Sequence, residues 1–122
     1  MSLRNNNRGR MYKRTILIDL DGVLNNYTGG YQEDYIPEIK EGAKEFIKSL
    51  HDEGFDLKLF TTRPSELAKK WLENNKLNEY FSETTNIKRA AWLIIDDRCI
   101  NFNGDYKQLR KEIDNFQVWY KK

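Results

Sequence analysis

The sequence predicts an α/β fold, a three-layer sandwich on a mostly parallel sheet, and three features point to it. Apolar, β-forming runs alternate with segments whose apolar residues recur at helical spacing. The first run, "TILIDL", lacks the polar alternation of a half-exposed strand and so reads as covered on both faces. Two runs end in paired carboxylates, Asp19 with Asp21 and Asp96 with Asp97, and parallel sheets collect their ligands at the carboxyl ends of strands.

Taken in order, residues 15–20 form the first expected strand. The segment "NNYTGGYQEDY" then offers Asn, Gly-Gly and Tyr in the pattern of a small hairpin or flap over residues 25–37. Within residues 40–53, Ala43, Phe46, Ile47 and Leu50 fall at i, i+3, i+4 and i+7, one apolar helical face that Gly54 can end. "FDLKLFT", residues 55–61, is the second strand. Pro64 suits the first turn of a helix that buries Leu67, Ala68, Trp71 and Leu72. A short strand is expected within residues 81–86, and "AAWLIIDD" supplies another. Tyr106, Leu109, Ile113 and Phe116 then mark a last helix, with "FQVWY" as an extended, packed tail.

The 122 residues suffice for one core. A basic tail over residues 1–13 and a single domain over 14–122 are the expected divisions. Hydrophobic residues at 39% and charged residues at 33% suit a soluble globular chain and exclude a disordered or membrane one. No apolar run approaches the roughly 18 residues of a membrane span, and the N-terminus lacks the apolar centre of a secretion signal, so a cytoplasmic location is expected. Cys99 stands alone, which excludes an intramolecular disulfide or thiolate metal cluster. The one histidine, His51, sits near a helix end and reads as a solvated residue rather than a catalytic base. Arg4, Arg8, Arg10, Lys13 and Arg14 precede the first strand with no acid among them, leaving the rest mildly acidic. Such a tail reads first as a frayed terminus; nucleic acid stays open as a partner.

The strand-end rule collects Asp19 and Asp21, then Thr61, Thr62 and Arg63, then Asp96 and Asp97, with Lys88 just ahead of the last strand. Carboxylates so crowded raise one another's pKa values and weaken the fold unless a cation sits among them. Hard oxygen ligands in this number suit Mg²⁺, which prefers one or two carboxylates together with substrate phosphate. Each part also has an ordinary meaning: Asp21-Gly22 as a turn pair, Thr61 as a β-branched strand residue, Lys88 as a surface lysine. Their joint placement at three strand ends is what favours a site.

On these motifs the chain resembles the haloacid dehalogenase-like (HAD) superfamily of phosphohydrolases, with its Rossmann-like sheet, over residues 15–116. "DLDGVL" is similar to the family's first motif, "LKLFT" to the second, Lys88 to the isolated lysine of the third and "LIIDD" to the fourth; Arg89 stands where many short members have proline. The resemblance implies a Mg²⁺-dependent phosphatase. Asp19 would be the nucleophile that forms an acyl phosphate, and Asp21 the acid and base, its backbone carbonyl also a metal ligand. Asp97 would bind Mg²⁺ directly with Asp96 as helper, or the two with roles exchanged. Thr61 and Lys88 would hold the phosphoryl group. Thr62, Arg63 and Arg98 are candidate substrate contacts, the arginines equally structural partners of the acids.

Neither residues 25–37 nor the stretch between Thr61 and Lys88 leaves room for a cap domain. Capless relatives imply an open site and a phosphorylated substrate such as a nucleic-acid end, a phosphoprotein or a sugar chain, or a small molecule enclosed by oligomerisation. Tyr27, Tyr31 and Tyr35 on the flap either touch that substrate or pack the flap itself. The rival readings are a phospho-accepting receiver-like signalling module, whose adjacent acid pair follows its first strand instead, and a non-catalytic binding domain of the same fold.

Overall fold

The computed structural model of the chain describes residues 13–121, so the proposed basic tail, apart from Lys13, lies outside the described residues. Four strands, β1 (Thr15–Asp19), β2 (Asp56–Phe60), β3 (Phe81–Thr85) and β4 (Leu93–Ile95), make one sheet in the order β3-β2-β1-β4. Every pairing is parallel, as both faces of an apolar first strand require. With α1 (Ala43–Asp52), α2 (Ser65–Asn74) and α3 (Tyr106–Asn115), the chain is a Rossmann-like α/β sandwich. No helix among the described residues is long and apolar enough to cross a membrane.

β1 is the centre because its sequence can be nothing else: Ile16, Leu17 and Ile18 are all fully buried, between β2 and β4. On one face Ile16, Ile18, Leu57 and Leu59 pack with Ala43 and Ile47 of α1 and with Ala68, Trp71 and Leu72 of α2. Each large aliphatic side chain so buried contributes about 1.5–3 kcal/mol. α1 ends where Gly54, at φ 96, turns the chain; its amide donates to the His51 carbonyl and that of Phe55 to Leu50. α3 begins with Asp105 accepting from the amides of Lys107 and Gln108, at 2.9 and 3.2 Å.

Three elements differ from the sequence expectation. The segment over residues 25–37 is a loop closed at its base by one antiparallel bridge, Asn25 with Ile39, rather than a laddered hairpin. It has no alternating apolar pattern to hold a register; Ile36 in the core and the Trp71 indole, donating to the Pro37 carbonyl at 3.0 Å, anchor it instead. β4 is only three residues long and pairs with β1 alone, so Leu93 and Ile94 remain 43% and 37% exposed. The apolar face of α3 forms at the expected spacing, yet Tyr106, Ile113 and Phe116 are exposed. The tail after α3 closes in a 3-10 turn at Trp119–Lys121 behind a buried Val118.

Because Leu59 is fully buried in the middle of the sheet, Leu59→Ala should cost about 2–5 kcal/mol in a denaturant titration. Leu93→Ala, on the exposed edge, should cost far less; equal losses would contradict the core assigned here.

Candidate functional site

Successive crossovers carry the chain from β1 to β2 and β3 on one side, then back past β1 to β4 on the other. The carboxyl ends of β1 and β4 therefore flank the switch point where open α/β sheets leave a crevice. Register levels their tips: Ile18 pairs with Ile95, Asp19 with Phe60 and Phe60 with Thr85. The next residues, Thr61 and Asp96, thus emerge on the edge that Asp19 reaches.

Carboxylate oxygens of Asp19, Asp96 and Asp97 lie within 4.8 Å of one another. Burial above all, then the negative charges of Asp96, Asp97 and Asp21, push the Asp19 carboxyl from 3.8 up to about 8. Burial followed by the neighbouring Asp96 raises Asp97 as well. Among the described residues, Asp97 Oδ2 is the buried side-chain oxygen with no hydrogen-bond partner. Gly22, at φ +83, passes so close that a β-carbon there would overlap that same oxygen. An all-oxygen donor set that includes an unpartnered buried acceptor fits a hard divalent cation such as Mg²⁺.

Asp21 faces another way. Its Oδ2 accepts from Arg63 Nε at 2.9 Å, and its Oδ1 from Arg63 Nη2 at 3.1 Å and Asn25 Nδ2 at 3.0 Å. Its carboxylate lies outside the group of three, so as a side chain Asp21 is an oriented neighbour of the cluster rather than part of it. Arg63, a candidate substrate contact from sequence, is buried: its remaining contacts are the Gln32 carbonyl at 2.7 Å and the Tyr31 ring at 4.6 Å. The guanidinium ties Asp21 to the flap.

Thr61 is buried, and its Oγ1 accepts from the Arg63 amide at 3.1 Å, which leaves its own hydrogen to donate. Thr62 beside it is exposed. Lys88 is exposed on the connection from β3 to β4; its charge offsets the upward push that burial, Asp96, Asp19 and Asp97 exert on the Cys99 thiol, so it acts within the same field. Arg98 donates its amide to Asp96 Oδ1 at 3.0 Å and its guanidinium to the Tyr120 hydroxyl at 2.8 Å. Beside Arg63 the flap borders an open pocket of about 360 Å³ lined by Tyr27, Gln32, Tyr35 and Glu38.

Sequence reasoning missed Asn25. It is fully buried, and its Oδ1 accepts from the amides of Gly22 and Tyr27 at 3.2 and 3.0 Å while its Nδ2 reaches Asp21. An asparagine four residues past an aspartate carries no signal in a single sequence.

Two outcomes follow. Between 3.8 and about 8 the folded chain keeps a proton on Asp19 that the unfolded chain releases, so cation-free stability should fall as pH rises across that window and level off above it. Urea midpoints in a chelating buffer measure this; Asp19→Asn should flatten the slope, and a rise with pH would contradict it. Gly22→Ala, which forces a methyl onto Asp97 at a left-handed φ, should lose about 1–3 kcal/mol in the same titration.

No family model matches the chain, and no curated protein matches it. Among solved structures it is similar to a conserved protein from Bacteroides thetaiotaomicron, with a TM-score of 0.59 and 23% identity over 89% of this chain and 96% of that one. It is also similar to an uncharacterized protein from Listeria monocytogenes serotype 4b, with a TM-score of 0.50 and 21% identity over 62% of this chain and 48% of the other. At such identities the likeness establishes the fold, a Rossmann-like α/β sandwich.

Proposed function

We propose that the chain is a Mg²⁺-dependent phosphatase of the haloacid dehalogenase-like type, hydrolysing a phosphate monoester through an aspartyl phosphate on Asp19. The observation that carries this reading is the convergence of Asp19, Asp96 and Asp97, one of whose oxygens is buried and unpartnered, with Asp21 held separately two residues from Asp19. Crowded acids beside an independently oriented acid divide the labour of phosphoryl transfer.

Uncatalysed, phosphate monoesters are among the slowest bonds to break, and enzymes lower that barrier by up to ~10²¹-fold in rate. A carboxylate oxygen of Asp19 attacks phosphorus while the bond to the leaving oxygen breaks, and Asp21, protonated from solvent before the step, gives that oxygen its proton. Water then attacks the phosphorus of the acyl phosphate; Asp21 takes its proton, and phosphate leaves with Asp19 restored. Asp19, Asp97 and the Asp21 carbonyl would hold Mg²⁺ with Asp96 assisting, and the bound ion would supply positive charge against the carboxylates and the phosphate. The Thr61 hydroxyl donates to a phosphoryl oxygen, and Lys88 adds a fixed positive charge. Arg63 and Asn25 fix the direction of the Asp21 carboxylate.

With no cap domain among the described residues, the substrate class is a phosphate on an accessible partner: a nucleic-acid end, a phosphoprotein or a sugar. Assay of p-nitrophenyl phosphate beside phosphorylated oligonucleotides, nucleotides and sugar phosphates tests this. Phosphate release should require Mg²⁺, vanish in Asp19→Asn and fall about 10²–10⁴-fold in Asp21→Asn. Turnover undiminished in Asp19→Asn would refute it, and a long-lived phospho-adduct without turnover would point to the receiver-like module.

A further inference from the structure

The tail after α3 makes contacts that neither the core nor the four motifs explain. Trp119 is 45% exposed, so burial does not account for its place. Its indole nitrogen donates to the Gly22 carbonyl at 2.8 Å, across 97 residues of sequence. Lys40 Nζ stands 4.8 Å above its ring. The next residue, Tyr120, accepts from the Arg98 guanidinium at 2.8 Å and meets the rings of Trp119 and Tyr27 edge-on at 5.5 and 6.3 Å. Val118, buried at 5% exposure, anchors the pair.

Gly22 and Arg98 belong to the two loops that carry the acids. Past Ile95 no ladder among the described residues holds the β4 loop, and β4 itself is tied to β1 by three residue pairs. Yet the Asp19 to Asp97 spacing must be kept against like-charge repulsion. The Gly22 peptide is pinned on both sides, its amide by Asn25 and its carbonyl by Trp119, and Gly22 is the residue that abuts Asp97 Oδ2. Arg98 is pinned likewise, its amide on Asp96 and its guanidinium on Tyr120.

We infer that Trp119 and Tyr120 are positioning residues, a clasp joining the β1 and β4 loops that sets the spacing of Asp19, Asp96 and Asp97 and hence the cation affinity of the site. This rests on the cation-binding reading above. Without the clasp the acidic loops relax apart, and each cation then draws them together at a cost in affinity.

Calorimetric titration of Mg²⁺ and Mn²⁺ into the full chain tests it without recourse to activity. Trp119→Phe keeps an aromatic ring and removes the donor; Tyr120→Phe removes the acceptor. The dissociation constant should rise about tenfold in Trp119→Phe, less in Tyr120→Phe, and at least tenfold in the double variant, the loss of one or two hydrogen bonds of ordinary strength. Leu77→Ala, which truncates a fully buried core residue just ahead of the amino end of β3, should lower the unfolding midpoint and leave the dissociation constant within twofold. Wild-type affinity in both tail variants would overturn the clasp with the cation site intact. Equal weakening by Leu77→Ala would overturn it as general loosening. A wild-type chain that binds neither cation would remove the cation reading itself, and the clasp with it.

Discussion

Three carboxylates held with oxygens inside 4.8 Å repel one another, and the surrounding structure is arranged to keep them there. The central strand supplies the rigidity: β1 is buried on both faces and paired on both edges, so Asp19 has little freedom to retreat. β4, short and half-exposed, brings Asp96 and Asp97 alongside. In the absence of a cation a proton relieves both costs: burial first, and then the charges of Asp96, Asp97 and Asp21, push Asp19 up to about 8. A divalent ion would replace that proton with charge enough for several oxygens, and only then could Asp19 act as a nucleophile near neutrality.

The separation of Asp21 from this group is chemically useful. Two acids two residues apart on a strand and the turn after it would share one environment were it not for Arg63 and Asn25. By turning Asp21 toward the flap, they would let one carboxylate serve a cation and the other a leaving oxygen, as the proposed function requires. The same guanidinium grips the Gln32 carbonyl, so the direction of Asp21 and the position of the flap are mechanically joined.

Parallel pairing and the carboxyl edge were legible in the sequence because both depend on continuous apolar runs and the acids that follow them; the strand order was not, since it is set by contacts between segments. The convergence of Asp19, Asp96 and Asp97 was legible for the same reason. The role of Arg63 was not: an arginine after a strand reads equally as substrate contact or internal partner, and only its burial decides. The flap reads as a hairpin from its glycines, but its anchoring comes from Ile36, Trp71 and Arg63, contacts between segments that no local pattern records. Trp119 and Tyr120 escape for the extreme form of this reason, since their partners Gly22 and Arg98 lie 97 and 22 residues away.

The central claim is that this chain holds a divalent ion between the tips of β1 and β4. Anomalous diffraction from crystals soaked in Mn²⁺ tests it most directly. One strong anomalous peak is expected within coordination distance of Asp19 and at least one of Asp96 and Asp97, with the Asp21 side chain still on Arg63. No peak there, or a peak only at surface carboxylates elsewhere, would contradict it.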